Sequence, residues 1–119
     1  MTSLSTTPLS VQNWDDLNKQ YPNPSMLKLV LQSFLKHHGN SPEEIRTLVK
    51  NGDAESMCKL AHKLKGAACM MRANTMIELA EAVENLTRET GKIEAIQGES
   101  IASAMDTWIF ELNGKLQTL

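Results

Sequence analysis

Apolar residues recur every three to four positions along nearly the whole chain, and no run alternates with the period of two that marks a strand. That pattern predicts six helices. Trp14, Leu17 and Tyr21 define a short first helix, closed by Pro22 because the residue before a proline is pushed out of helical geometry. Asn23-Pro24 supplies a cap and a first-turn proline for a second helix reaching about His38, with Leu27, Val30, Leu31 and Phe34 on its buried side. Gly39-Asn40 ends it. Ser41-Pro42-Glu43-Glu44 then predicts a restart with serine as the cap, and the short third helix presents Ile45, Leu48 and Val49 before stopping at Asn51-Gly52. Asp53 caps a fourth helix running to Met71 or Arg72, with Met57, Leu60, Ala61, Leu64, Ala68 and Met71 in one stripe. A fifth begins near Asn74, buries Met76, Leu79, Ala80, Val83 and Leu86, and ends at Gly91. The sixth covers about Ser100 to Leu116 with Ile101, Met105, Trp108, Ile109, Leu112 and Leu116 in register, and the segment from Lys92 to Glu99 either extends it or forms a separate turn, since Gly98 weakens helical character there.

Short connections between consecutive amphipathic helices point to an all-α, antiparallel up-down four-helix bundle with additional short N-terminal helices. A length of 119 residues fits one domain, residues 11–119, behind a Ser/Thr-rich leader or linker at 1–10 that shows no periodicity. Aromatics are scarce at 4%, and seven methionines take over part of the space filling. A net charge of −2, with no basic run or aromatic ladder, argues against nucleic acid as a partner. No apolar stretch approaches the roughly 18–20 residues of a membrane span, so no direct membrane contact is expected. Cys58 and Cys69 fall about three turns apart on one helix, too far to bridge, and free thiols without a secretory leader favour a cytoplasmic setting.

The chemistry concentrates in Ala61-His62-Lys63-Leu64-Lys65-Gly66-Ala67-Ala68. His62 lies opposite the apolar stripe of the fourth helix, beside Lys65 and Gly66 at the i+3 and i+4 positions, and is therefore predicted to face solvent. An exposed imidazole offers an unprotonated nitrogen that can attack an activated phosphorus. Lys65 is placed to offset charge on transferred phosphoryl oxygens, and Gly66 removes a side chain next to the ring so that another protein can approach. Lys59, Lys63 and Arg72 make this a locally basic band on an acidic chain, which points to an anionic partner.

The segment Ala61 to Glu84, AHKLKGAACMMRANTMIELAEAVE, resembles the histidine-phosphotransfer (HPt) domain of bacterial multistep two-component phosphorelays, as found at the C-terminus of hybrid sensor histidine kinases. The motif is alanine-histidine-x-leucine-lysine-glycine, followed by small residues and a second amphipathic helix. The resemblance implies a four-helix bundle in which His62 is the phosphoryl acceptor, Lys65 its charge partner and Gly66 the clearance residue. It implies receiver domains upstream and downstream as partners, with the required Mg²⁺ held by the receiver and no cofactor bound by this chain. Such a module is a phosphoryl carrier, expected to act as a monomer, with no ATP-dependent kinase activity of its own. The family usually has glycine where Arg72 stands and often glycine or serine where Cys69 stands, so Lys59, Lys63, Cys69 and Arg72 are expected to bear on partner docking.

Competing readings have less behind them. Cys58, His62 and Cys69 lie nearly in one line, yet only Cys58 and His62 could share an ion, and two ligands do not make a structural zinc site. His37 and His38, at a helix end, are expected to offer charge to the last carbonyls. Glu78 and Glu84 read as solvating residues of the fifth helix. No phosphate-binding loop of the GxxxxGK[ST] type is present, so direct charging of His62 from ATP is not expected. The alternative of a different class is a non-catalytic helical docking module that uses the same basic surface to hold an acidic, receiver-like partner.

Overall fold

Side-chain caps start four of the helices in the computed structural model, which describes residues 10–119. The elements are α1 (Trp14–Gln20), α2 (Pro24–His38), α3 (Ser41–Asn51), α4 (Ala54–Met71), α5 (Asn74–Thr90) and α6 (Ala95–Thr118). Asn13, Asn23, Asp53 and Glu94 each accept a backbone N–H from the first turn of α1, α2, α4 and α6, satisfying donors that the helix itself leaves unpaired. Gly52 and Gly91 stop α3 and α5 in the left-handed region, at φ 66° in both cases.

Two boundaries differ from the pattern-based expectation. Ser41 does not cap α3; it is already helical and buried with Pro42, and Asn40 is the cap residue without a side-chain hydrogen bond. The sixth helix begins at Ala95 rather than near Ser100, because Glu94 caps it through Gln97 N–H at 2.6 Å. Gly98 is buried inside this helix and does not interrupt it. A Cβ there would sit 2.5 Å from Val49 Cγ2, so glycine is what lets α6 lie close against α3.

α4 packs along α5, while α6 lies against α3, α5 and α2, and α3 also touches α4. The four helices α3–α6 thus surround a common core, with α2 laid on α6 and α1 leading into it. α2 spans the 15 residues expected of it, from Pro24 to His38. Leu17, Leu31, Ile45, Met57, Leu64, Met76, Met105 and Leu112 are fully buried, each contributing about 1.5–3 kcal/mol of apolar transfer. Val30, Leu48, Val49, Leu79, Leu86, Ile109 and Leu116, expected in the core, are only half-buried. On α5 the buried face instead runs through Met76, Ala80, Val83, Glu84 and Thr87. Thr87 can be buried because its hydroxyl donates to the Val83 carbonyl at 2.8 Å. Among the described residues no helix is long and apolar enough to cross a membrane.

A strap of residues before α1 ties the last turn of α4 to the middle of α6. Trp108, at the centre of the core, packs its ring 4.4 Å from that of Phe34 and donates its indole N–H to Gln12 Oε1 at 2.9 Å. Gln12 Nε2 donates onward to the carbonyl of Met71, in the last turn of α4. Glu111 Oε1 accepts the backbone N–H of Val11 at 2.7 Å and of Gln12 at 3.3 Å, and Ser10 donates its hydroxyl to the same carboxylate. Ser10 therefore belongs to the strap; the rest of the leader expected at 1–10 lies outside the described residues.

Gln12→Ala leaves the Trp108 N–H and the Met71 carbonyl without their partner, at a cost of about 1–3 kcal/mol. Chemical denaturation should show the midpoint falling with an unchanged slope. A midpoint equal to wild type would mean that water replaces the amide without penalty.

Candidate functional site

α4 and α5 bring His62, Lys65, Glu84 and Arg88 together. His62 leaves α4 on the side away from the core, and its side chain is 69% exposed. Its Nδ1 lies 2.8 Å from Glu84 Oε2 on α5. An ionised carboxylate only accepts, so Nδ1 carries the proton, and in the neutral ring the lone pair resides on Nε2. Lys65 Nζ stands 2.8 Å from the other oxygen, Glu84 Oε1, which is sealed from solvent and has this ion pair as its contact. Arg88, one turn further along α5, reaches Oε2 at 3.3 Å.

Glu84 is thus a buried carboxylate, its side chain 6% exposed, facing three cationic or proton-donating groups. Lys65 does most to hold its pKa below the ordinary carboxylate range; burial pulls the other way, and the hydrogen bond from His62 helps Lys65 prevail. The same contact raises Lys65 above the usual ammonium range against its own desolvation. The expectation that Glu84 solvates α5 is overturned. Its position offered a signal: it lies four residues after Ala80 and eight after Met76, on the buried stripe of the helix. Glu78, by contrast, is exposed as expected.

Gly66 sits one turn beyond His62 with open space beyond it, since a Cβ there would meet nothing within 4 Å. Nothing inside the fold requires glycine at a mid-helix position where it costs about 0.5–1 kcal/mol relative to alanine. Lys59, Lys63 and Cys69 are exposed on the same side of α4. Cys58 turns toward α5 and donates its thiol to the Glu84 carbonyl at 3.6 Å. Both cysteines are free, and among the described residues no three His, Cys, Asp or Glu side chains gather as a metal-binding group. His37 Nδ1 is 2.8 Å from the Ser33 carbonyl in the last turn of α2. His38 stacks against Phe34, and burial lowers its basicity.

The family model of the Hpt domain matches residues 29–117. The chain belongs to the Hpt domain family. Neither the curated proteins nor the solved structures give a significant match to it. The protein is accordingly a histidine-phosphotransfer module of two-component signalling, with the helical-bundle fold of its family.

In this Hpt domain a groove of about 310 Å³ opens between α2 and the C-terminal half of α4, floored by Val30, Phe34, Ala67 and Met71. Leu29 and Met70 stand on its edges, 61% and 68% exposed. Met70, on its edge, lies one helical turn from Gly66 on the surface of α4, so the groove borders the histidine face. Arg72 closes α4 at φ 60°, the only non-glycine with positive φ among the described residues, and its guanidinium donates to Gln20 Oε1 of α1 at 3.1 Å. The residue expected to serve docking is therefore also engaged within the domain.

A side chain in the left-handed region costs about 1–2 kcal/mol, while glycine costs about 0.4–1 kcal/mol through the unfolded chain. Arg72→Gly should therefore raise the melting temperature by a few degrees, read by thermal unfolding. An unchanged or lower midpoint would mean that the contact with Gln20 outweighs the backbone strain.

Proposed function

We propose that His62 accepts a phosphoryl group from the aspartyl phosphate of one receiver domain and passes it to the aspartate of a second. The observation that carries this reading is an imidazole open to solvent whose Nδ1 is tied to a buried carboxylate, leaving Nε2 outward. The Nε2 lone pair forms the N–P bond while the P–O bond to the aspartyl oxygen breaks, its electron pair returning to the carboxylate. Lys65 balances Glu84, so the arriving phosphoryl oxygens do not meet a bare carboxylate, and it adds positive charge one turn from the acceptor. Gly66 leaves room for the receiver to bring phosphorus in line with Nε2.

The reading extends to how the partner is held. Exposed Lys59 and Lys63 favour the acidic mouth of a receiver. The groove edged by Leu29 and Met70 offers the apolar contact that a weak, reversible encounter needs at its centre. Cys69 lies between the histidine and the end of α4, where its size bears on which receiver fits, and Arg72 marks the border of that surface. The Mg²⁺ used in transfer belongs to the receiver. The module works as a monomer in the cytoplasm, a setting that suits its free thiols.

Incubation with a phosphorylated receiver and Mg²⁺ should move acid-labile phosphate onto the chain. His62→Gln should abolish labelling while circular dichroism and melting stay close to wild type, because the ring is exposed. Binding without migration would replace the relay reading with that of a docking module. Lys65→Ala should slow transfer about tenfold or more with little change in receiver affinity; equal rates would remove its electrostatic role.

A further inference from the structure

Arg72 occupies a backbone conformation that suits glycine. It closes α4 at φ 60°, and where α3 and α5 end in the same left-handed region the chain uses Gly52 and Gly91. Its side chain is exposed, and its guanidinium enters none of the ion pairs found among the described residues. What it gains inside the fold is one hydrogen bond on the surface, donated to Gln20 Oε1 at 3.1 Å, where water can take the place of either partner. For the fold alone glycine would serve better. We propose that Arg72 is a specificity-determining contact: its guanidinium, aimed by Gln20, takes up a carboxylate of the receiver docked on α2 and α4. This rests on the reading that receivers exchange phosphate with His62.

The surroundings fit a carboxylate at this point. Arg72 follows Met71, which floors the groove between α2 and α4, and Gln20 precedes Tyr21, which lines the same groove. On their other side Arg72 and Gln20 line a second hollow, of about 280 Å³, with Lys19 and Asp16. The guanidinium therefore stands where the apolar groove gives way to a polar recess. Asp16 is the one acid in that recess, and its Oδ2 already accepts from Asn13 Nδ2 at 3.1 Å, while Lys19 adds a second cation. The walls of the groove offer an acidic partner no repulsion, since neither α2 nor α4 from His62 onward contains Asp or Glu. Helical rise puts Arg72 about 15 Å beyond His62 along α4. A standard interface covers about 800 Å² of each partner, which reaches both residues. One receiver can thus present its aspartyl phosphate to His62, rest apolar side chains in the groove and bring a carboxylate to Arg72. A guanidinium carries five N–H donors in a planar fork; with one turned to Gln20, a pair remains for the two oxygens of a carboxylate. A receiver without an acid there leaves that pair unmet, which is how the contact discriminates.

The test follows phosphoryl transfer to the whole chain as the concentration of a phosphorylated receiver domain is varied, using the member of a receiver panel that charges the wild type fastest. Arg72→Gly should raise the receiver concentration at half-maximal rate about fivefold, the size expected of a partly exposed charged contact, with the saturated rate little changed. Its melting temperature should not fall, so that affinity and stability part company, which a purely structural role for the side chain would not produce. Arg72→Glu should raise the half-saturating concentration further. Acidic residues on the docking face of the receiver are then replaced by Arg one at a time; one such receiver should restore transfer to Arg72→Glu and lose it with the wild type. Equal half-saturation for wild type and Arg72→Gly overturns the inference and leaves the relay reading intact. So does a fall in the saturated rate alone, or failure of every charge-reversed receiver to restore Arg72→Glu. If no receiver of the panel charges the wild type, the relay reading falls and the inference falls with it.

Discussion

A single carboxylate, Glu84, sits where the buried face of α5 meets the reactive face of α4, and the site depends on it. Burying an ion is costly, and partners restore only part of that cost unless they are close and well aimed. Here one oxygen faces Lys65 and the other faces His62 and Arg88, all within 3.3 Å. The arrangement couples three functions usually treated apart. It fixes which imidazole nitrogen is protonated, it balances the buried carboxylate with positive charge, and it ties α4 to α5 at the level of the histidine. Loss of either helix's register would separate these groups, so the site is only as precise as the packing between α4 and α5.

That packing is set by features remote from the histidine. α4 is held at its start by the Asp53 cap and at its end by Gln12, which reaches the Met71 carbonyl while accepting from Trp108 on α6. The strap makes the last turn of α4 a shared boundary of three segments, since Arg72 also reaches Gln20 of α1. α6 closes on α3 through Gly98, where a methyl group would collide with Val49. Gly98, a weak helix former, marks where two helices approach, and Arg72, in the left-handed region, marks where one ends.

Most of the framework was legible because apolar periodicity and capping chemistry are local. The order of six helices, the two glycine stops and the outward placement of His62 all follow from residues within a few positions of one another. The parts that escaped are long-range or polar. Glu84 and Thr87 occupy a buried stripe that an apolar template skips, while Leu79 and Leu86, which the template selects, are half-buried. Gln12 reads as leader-proximal and polar, yet it joins α4 to α6 through hydrogen bonds spanning 59 and 96 residues of sequence. Gly98 reads as a breaker because propensity alone does not register the neighbour it must admit. Glu84, Gln12 and Gly98 are polar or small residues whose burial is matched by partners distant in the chain, while Thr87 is satisfied within its own helix.

The outward face raises the opposite question, why residues are left without internal purpose. Gly66 meets nothing that a methyl group would disturb, and Leu29 and Met70 leave large apolar surfaces in water next to it. A fold under pressure for stability alone would favour alanine at the first position and polar side chains at the other two. Their cost is consistent with selection by something outside the domain. Lys59 and Lys63 are exposed on the same side of α4 and enter none of the ion pairs found among the described residues. The internal cations, Lys65 and Arg88, are spent on Glu84, whereas the external ones are not. This division leaves the buried carboxylate balanced while the surface around the ring keeps unpaired positive charge.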